Sequence, residues 1–300
     1  MHRLFRELVL SLLFLIAATT IASSQQGDFP LLKGPYLGQR APGTTPEIFA
    51  PGIVSTDMVN HSTISVSPDG LEIYWAMAPL DMPSRIYVTK MTKGIWSRPE
   101  IVSFTQSEDG DCPVLLPAGE RMYFNSHRPL PGQRSRRERI WCVERMSGCW
   151  GVPFPLGPEI NGEHLHWQIS VDAVGNLFFG SERNGSKGRD DVFLAERLKD
   201  SYRRPISLRP EINTEAHEGV PFVAPDGQYL IFGRDGLWIS FKGKNGRWLQ
   251  AKSMGDAFDG AICPYVSPDQ KFIFFLTTGM EHNDVMWISS DCIESLKPND

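Results

Sequence analysis

Several things are missing from this 300-residue sequence, and each absence narrows the reading. It has no C-x-x-C spacing, so a dithiol redox site or a ribbon-type zinc site has no basis. It has no G-x-S-x-G, P-loop or dinucleotide fingerprint. It also lacks an excess of positive charge: 30 Lys and Arg stand against 35 Asp and Glu, for a net charge of -5. A general nucleic-acid surface is therefore not expected. After the first two dozen residues no apolar run reaches the length of a membrane span.

The N-terminus differs from the rest. Arg3 and Arg6 precede an apolar run from Leu8 to Ala18, and small residues follow through Ala22-Ser23-Ser24. This order reads as a secretory signal peptide over residues 1–24, with a single membrane anchor as the alternative. Export places the protein in the periplasm or outside the cell, with no membrane span after cleavage. All five cysteines, Cys112, Cys142, Cys149, Cys263 and Cys292, lie beyond this leader. An oxidising compartment would permit a Cys142–Cys149 bond across a hairpin, the alternative being two unpaired thiols.

What the sequence does have is repetition. Ile64-Ser65-Val66-Ser67-Pro68-Asp69-Gly70 followed by Ile73-Tyr74-Trp75 reads as strand, tight turn, strand. The pattern returns around Gly119, Gly175, Gly227 and Gln270. Third strands are expected at 85–90, 139–144, 191–196, 236–241 and 284–290. Fourth strands follow Trp96, Trp150, Tyr202 and Trp248, but the last unit stops after its third. Residues 46–55 resemble the repeat-ending segment 99–104 and could supply the missing strand. The reading is an all-β, five-bladed β-propeller of four-stranded antiparallel blades, its N-terminal strand closing the last blade. A six-bladed ring is the alternative. Residues 25–45 form an extended lead-in, and 46–300 the single propeller domain.

The S-P-D-G turn followed by aromatics resembles the WD-like propeller repeat of Tol-type periplasmic proteins over roughly residues 46–293. Ser67-Pro68-Asp69-Gly70, Ala224-Pro225-Asp226-Gly227 and Ser267-Pro268-Asp269 carry the likeness, with Phe124-x-Ser126-x-Arg128 and Phe179-x-Ser181-x-Arg183. Repeats two and three depart at the turn, with Pro117-Ala118-Gly119 and Asp172-Ala173-Val174-Gly175. The resemblance implies a fold, and a family rich in non-catalytic binding proteins.

Polar residues precede each turn motif and should ring one mouth of the axial channel. His61, His166, His217 and Asp259 are the candidate metal ligands. Asp111 and Glu218 are the candidate acid and base of any hydrolytic or lyase reaction. The competing reading is that these groups only solvate the mouth. Arg128, Arg183 and Arg234 recur after the second strand, and Glu138, Asp191 and Asp284 begin the third. A per-blade arginine contact with carboxylate or backbone is expected. Asn60-His61-Ser62 and Asn184-Gly185-Ser186 fit the glycosylation pattern. The functional expectation is a non-catalytic exported propeller, acting as a monomer and binding a protein or a small polar or carbohydrate ligand. The alternative is a carbohydrate-active hydrolase or lyase using the polar mouth. The sequence leaves any cofactor unknown, and it leaves catalysis open.

Overall fold

The computed structural model describes residues 29–163, 166–277 and 283–298. Two units divide the chain, Met1–Leu32 and Lys33–Asp300, and the propeller occupies the second. The expected leader lies outside the described residues, as does His164. No helix among the described residues is long and apolar enough to cross a membrane.

Among the described residues, twenty-three short strands build five antiparallel sheets. The first strand in the chain, β1 (Glu47–Ile48), belongs to the last blade. Blade 1 has an interrupted inner strand, β2 (Val59–Asn60) and β3 (Ser65–Val66). Then come β4 (Glu72–Ala78), β5 (Arg85–Thr92) and a split outer strand, β6 (Ile95–Trp96) and β7 (Glu100–Ile101). Blade 2 runs β8 (Asp111–Leu115), β9 (Arg121–Ser126), β10 (Arg139–Met146), with β11 (Cys149–Trp150) and β12 (Phe154–Pro155) outermost. Blade 3 is β13 (His166–Val171), β14 (Leu177–Ser181), β15 (Asp191–Ala195) and β16 (Ile206–Ser207). Blade 4 is β17 (Gly219–Val223), β18 (Tyr229–Gly233), β19 (Leu237–Phe241) and β20 (Lys252–Ser253). Blade 5 holds β21 (Ala261–Val266), β22 (Phe272–Thr277) and β23 (Asp284–Ser289). Its fourth strand is β1, with Glu47 opposite Trp287 and Ile48 opposite Met286. The early strand thus closes the ring, and five blades rather than six complete it.

The turns form for local reasons. In blade 1, Ser67 Oγ donates to Asp69 Oδ1 at 2.6 Å and accepts the Glu72 amide at 2.8 Å, while Gly70 takes φ 72°. Blade 5 repeats this with Ser267 and Asp269, but Gln270 must take φ 60°. A bond from Tyr229 Oη to its side chain at 3.0 Å helps hold it there.

Packing between blades supplies the core, because a two-faced sheet of this size buries little alone. One cluster joins Tyr74, Ile86 and Val88 of blade 1 to Met122, Phe124 and Trp141 of blade 2. Another joins Phe222 and Ile231 of blade 4 to Val266, Ile273 and Phe275 of blade 5. Ile293, on the C-terminal helix Asp291–Leu296, packs into the latter; the sequence reading had not foreseen this helix.

The recurrent arginines are structural. Each lies over aromatic rings of the second and third strands, Arg128 over Phe124 and Trp141, Arg183 over Phe179 and Phe193, Arg234 over Phe232 and Trp238. Each also donates to a carbonyl of the segment arriving from the previous blade: Phe104, Ile160 and Ile212 respectively. Of the two expected partners, backbone is the common one, and Arg234 adds a carboxylate, that of Glu218. Thr105, Asn161 and Asn213 make a second staple. Their side chains accept the amides of Ile86, Ile140 and Val192, the residues that follow the first of each third strand.

One expectation is corrected and two further local features emerge. Cys142 and Cys149 do not face each other: Cys142 lies opposite Phe154 and Cys149 opposite Met146, one thiol buried and the other exposed. The Pro-Glu-Ile segment, a strand at Glu47–Ile48 and Glu100–Ile101, is instead a helical turn at Pro158–Asn161. The lead-in is not merely extended. Tyr36 Oη donates to Asp269 at 2.9 Å, Trp96 Nε1 donates to the Gly34 carbonyl at 2.8 Å, and the Ser289 amide donates to Gly43. Residues 34–43 therefore strap blade 5 to blade 1.

Phe49 is fully buried at this seam, 5.1 Å from the Phe274 ring and 5.2 Å from Trp287. Phe49→Ala is expected to cost about 3–5 kcal/mol, as large core truncations do. Urea unfolding followed by tryptophan fluorescence should show a clearly lower midpoint, and an unchanged midpoint would rule out the seam as a stability determinant.

Candidate functional site

The innermost strands set the geometry of the axis. In four of them the pairing register slips by a bulge, between Asp111 and Val114, His166 and Ile169, Gly219 and Phe222, and Ile262 and Tyr265. Three bulges carry a left-handed residue directly before proline: Cys112 at φ 46°, Val220 at 44° and Cys263 at 54°. Such backbone is strained in non-glycine residues, by on the order of 1–3 kcal/mol each. Proline suits the next position because a bulge removes the need for its amide. Each bulge divides its strand into a start and an apolar remainder; the start is polar at Asp111 and His166, but Gly219-Val220 and Ala261-Ile262 in blades 4 and 5.

At the polar starts, His61 Nδ1 lies 3.2 Å from Asp111 Oδ2, and Ser84 Oγ donates to the same carboxylate oxygen at 3.1 Å. The bond to Asp111 raises the His61 pKa against the opposing effect of burial. Nearby, His127 Nδ1 is 2.9 Å from Asp109 Oδ2, and Ser126 Oγ donates to Asp109 Oδ1. Burial alone would raise the Asp109 pKa, but bonds from the His127 amide and ring and from Ser126 outweigh it and lower it. Glu138, at the start of the third strand of this blade, is different. Burial pushes its pKa up to about 7, the Asn125 amide bond and His127 oppose the rise, and Asp111 and Asp109 add to it.

The other expected site residues are dispersed. His217 pairs with Asp190, Nδ1 to Oδ2 at 2.9 Å. Glu218 is fully buried, accepting from Arg234 Nε at 2.7 Å, Thr214 Oγ1 at 2.6 Å and the Thr214 amide at 3.0 Å. Its oxygens are committed to this network. Asp259 is exposed beyond a short helical turn, and no side-chain bond joins it to His61 or His217 among the described residues. His166 begins its strand opposite Gly180, its side chain lying outside what is described. Among the described side chains of the expected site, only His61 and Asp111 come together. No group of three His, Cys, Asp or Glu side chains placed to hold a metal occurs among the described residues. Of the two glycosylation patterns, Asn60 is fully buried with its amide bonded to the Val54 carbonyl, whereas Asn184 is exposed.

The apolar ends of the inner strands enclose a feature the sequence reading missed. A cavity of about 270 Å³ lies on the axis, lined by residues of all five blades, including Ile64, Val114, Ile169, Phe222 and Tyr265. Pro68 and Pro268 stand exposed at its rim. Gln168 crosses its wall, donating to the Pro264 carbonyl at 2.8 Å. Its Oε1 and Ser62 Oγ are buried in the lining without a hydrogen-bond partner. The available signal was the repeated turn proline with apolar residues two and four positions before it.

No family model matches the chain, and no curated protein matches it in sequence. Solved structures do. TolB from Acinetobacter baumannii aligns at 14% identity and a TM-score of 0.50, over 77% of this chain and 52% of that one. An Agrobacterium tumefaciens protein provisionally called TolB aligns at 14% identity and a TM-score of 0.52, over 84% of this chain and 87% of that one. This chain spans about half the length of the Acinetobacter protein. At such identities the shared property is the propeller fold, and no repeat-family assignment follows from it.

Glu138 generates a pH prediction. A carboxyl whose pKa is higher folded than unfolded favours folding at low pH, and that advantage is lost as pH rises through about 7. Glu138→Gln should therefore change stability little near pH 5 and raise it by up to about 3 kcal/mol above pH 8. Urea midpoints of both proteins across this range test it; parallel pH profiles would show that Glu138 titrates normally.

Proposed function

We propose that this protein is an exported, non-catalytic binding propeller whose axial apolar cavity receives an extended segment of a partner protein. The observation that carries the reading is the cavity itself. Five blades contribute to it, its walls are chiefly apolar, and two buried polar atoms in it lack partners. An orphaned buried acceptor costs about 1–3 kcal/mol, which a ligand can recover by donating a hydrogen bond. A polypeptide brings an apolar side chain and a backbone N–H together. The structural likeness to TolB proteins agrees with a binding propeller but does not identify the partner. Export rests on the composition of residues 1–24.

A second reading has one observation in its favour. Glu138, raised to about 7, stands near Asp111, so a candidate general acid lies beside a second carboxyl group. Under this reading the polar mouth hydrolyses or eliminates across a glycosidic bond, with Glu138 as acid and Asp111 as base.

Selection from a displayed random-peptide library tests the first reading. Bound peptides should lose at least about tenfold in affinity against Val114→Trp, which fills the cavity, and keep it against His127→Ala at the opposite mouth. Peptides indifferent to Val114→Trp, or no selected peptides at all, would remove the axial cavity as a binding site. Polysaccharide turnover abolished by Glu138→Gln in a folded protein would favour the second reading instead.

A further inference from the structure

A second recess of about 260 Å³ opens where the inner strands of blades 4 and 5 begin, in the seam between those blades. It is separate from the axial cavity. β17 contributes Gly219 and Val220 to the recess and Phe222 and Val223 to the cavity, and β21 divides in the same way. One side of the recess is apolar, from Val220, Ala261 and Ile262. The other carries His217, Asp190 and Arg234.

The polar side is fixed by its own bonds. Asp190, only 6% exposed at its side chain, holds His217 Nδ1 at 2.9 Å, while the imidazole is 63% exposed. In the neutral ring this leaves Nε2 outward as an acceptor of set orientation. Arg234 is held by Glu218 and by the Ile212 carbonyl, and so forms a rigid wall. Gly219 and Gly260 complete the lining, and a Cβ built on either meets no heavy atom within 4 Å. The space beside them is open, and a side chain there would occupy it.

We propose that this recess binds one uncharged sugar ring. A pyranose has an apolar C–H face and a hydroxyl edge, which match Val220 and Ile262 on one side and His217 on the other. A sugar hydroxyl donates to His217 Nε2. Asp190, Asp235 and Glu218 outweigh Arg234 here and oppose an anion. The volume lies just below the roughly 300–1,000 Å³ of sites that take drug-sized ligands, and so suits a single ring. This site is independent of the axial peptide reading.

The probes are glucose, galactose, mannose and N-acetylglucosamine, each titrated to about 20 mM against the full chain and followed by saturation-transfer NMR. At least one should bind. Gly219→Ala, at a position outside the left-handed region, puts a methyl into the recess and should weaken binding at least about tenfold while the thermal unfolding transition stays cooperative. His217→Ala, which removes an exposed ring and spares the core, should weaken binding about tenfold, the loss of a well-placed hydrogen bond. Val114→Trp in the axial cavity should leave it unchanged. If none of the four sugars binds, or if binding survives both Gly219→Ala and His217→Ala, the proposal is wrong.

Discussion

The ring depends on two residues of backbone pairing. β1 donates the strand that blade 5 lacks, and without it the first and last blades would each expose a sheet face and an unpaired edge. So short a strand cannot hold by ladder bonds alone. Phe49 follows it directly into a fully buried aromatic cluster with Phe274 and Trp287, and its amide donates to the Val285 carbonyl at 2.7 Å. Ser55 accepts the Val285 amide at 3.0 Å on the same seam. The lead-in strap, anchored by Tyr36 over Phe272 and Trp287, adds a second crossing. Closure is thus an aromatic lock with a short strand as its guide.

Closure also explains where polar chemistry is used. Within a blade, the repeated geometry demands that the long loop after the second strand be tied back. Arg128, Arg183 and Arg234 do this by stacking on rings and bonding to carbonyls of the preceding segment. Their charge is consumed in holding blade to linker, and they offer little to a ligand. Buried guanidinium groups so placed are costly to leave unpaired, so several bonds accompany each. The groups that remain available lie where the inner strands begin and end.

The bulges in those inner strands divide the axis in two. A residue that slips register also turns the following side chains, so the two halves of one strand line different spaces. The axial cavity and the recess between blades 4 and 5 therefore arise from the same backbone feature. Val220, at φ 44°, sits at the division itself. The strain there accompanies a change in what the strand presents to the axis.

The repeat, the blade count and the closing strand were readable from the sequence. Turn chemistry at Ser67-Pro68-Asp69-Gly70 and strand alternation act within a few residues, and a missing fourth strand is visible as an imbalance. The grouping of site residues was not readable. His61 and Asp111 meet across two blades, while His217, which looked equivalent, pairs with Asp190, and Glu218 turns inward to Arg234. A propeller fixes the height of each strand along the axis through its bulges, and a one-residue slip decides whether a carboxylate faces the mouth or the core. Sequence spacing cannot encode that choice, because it depends on the neighbouring blade against which each strand packs.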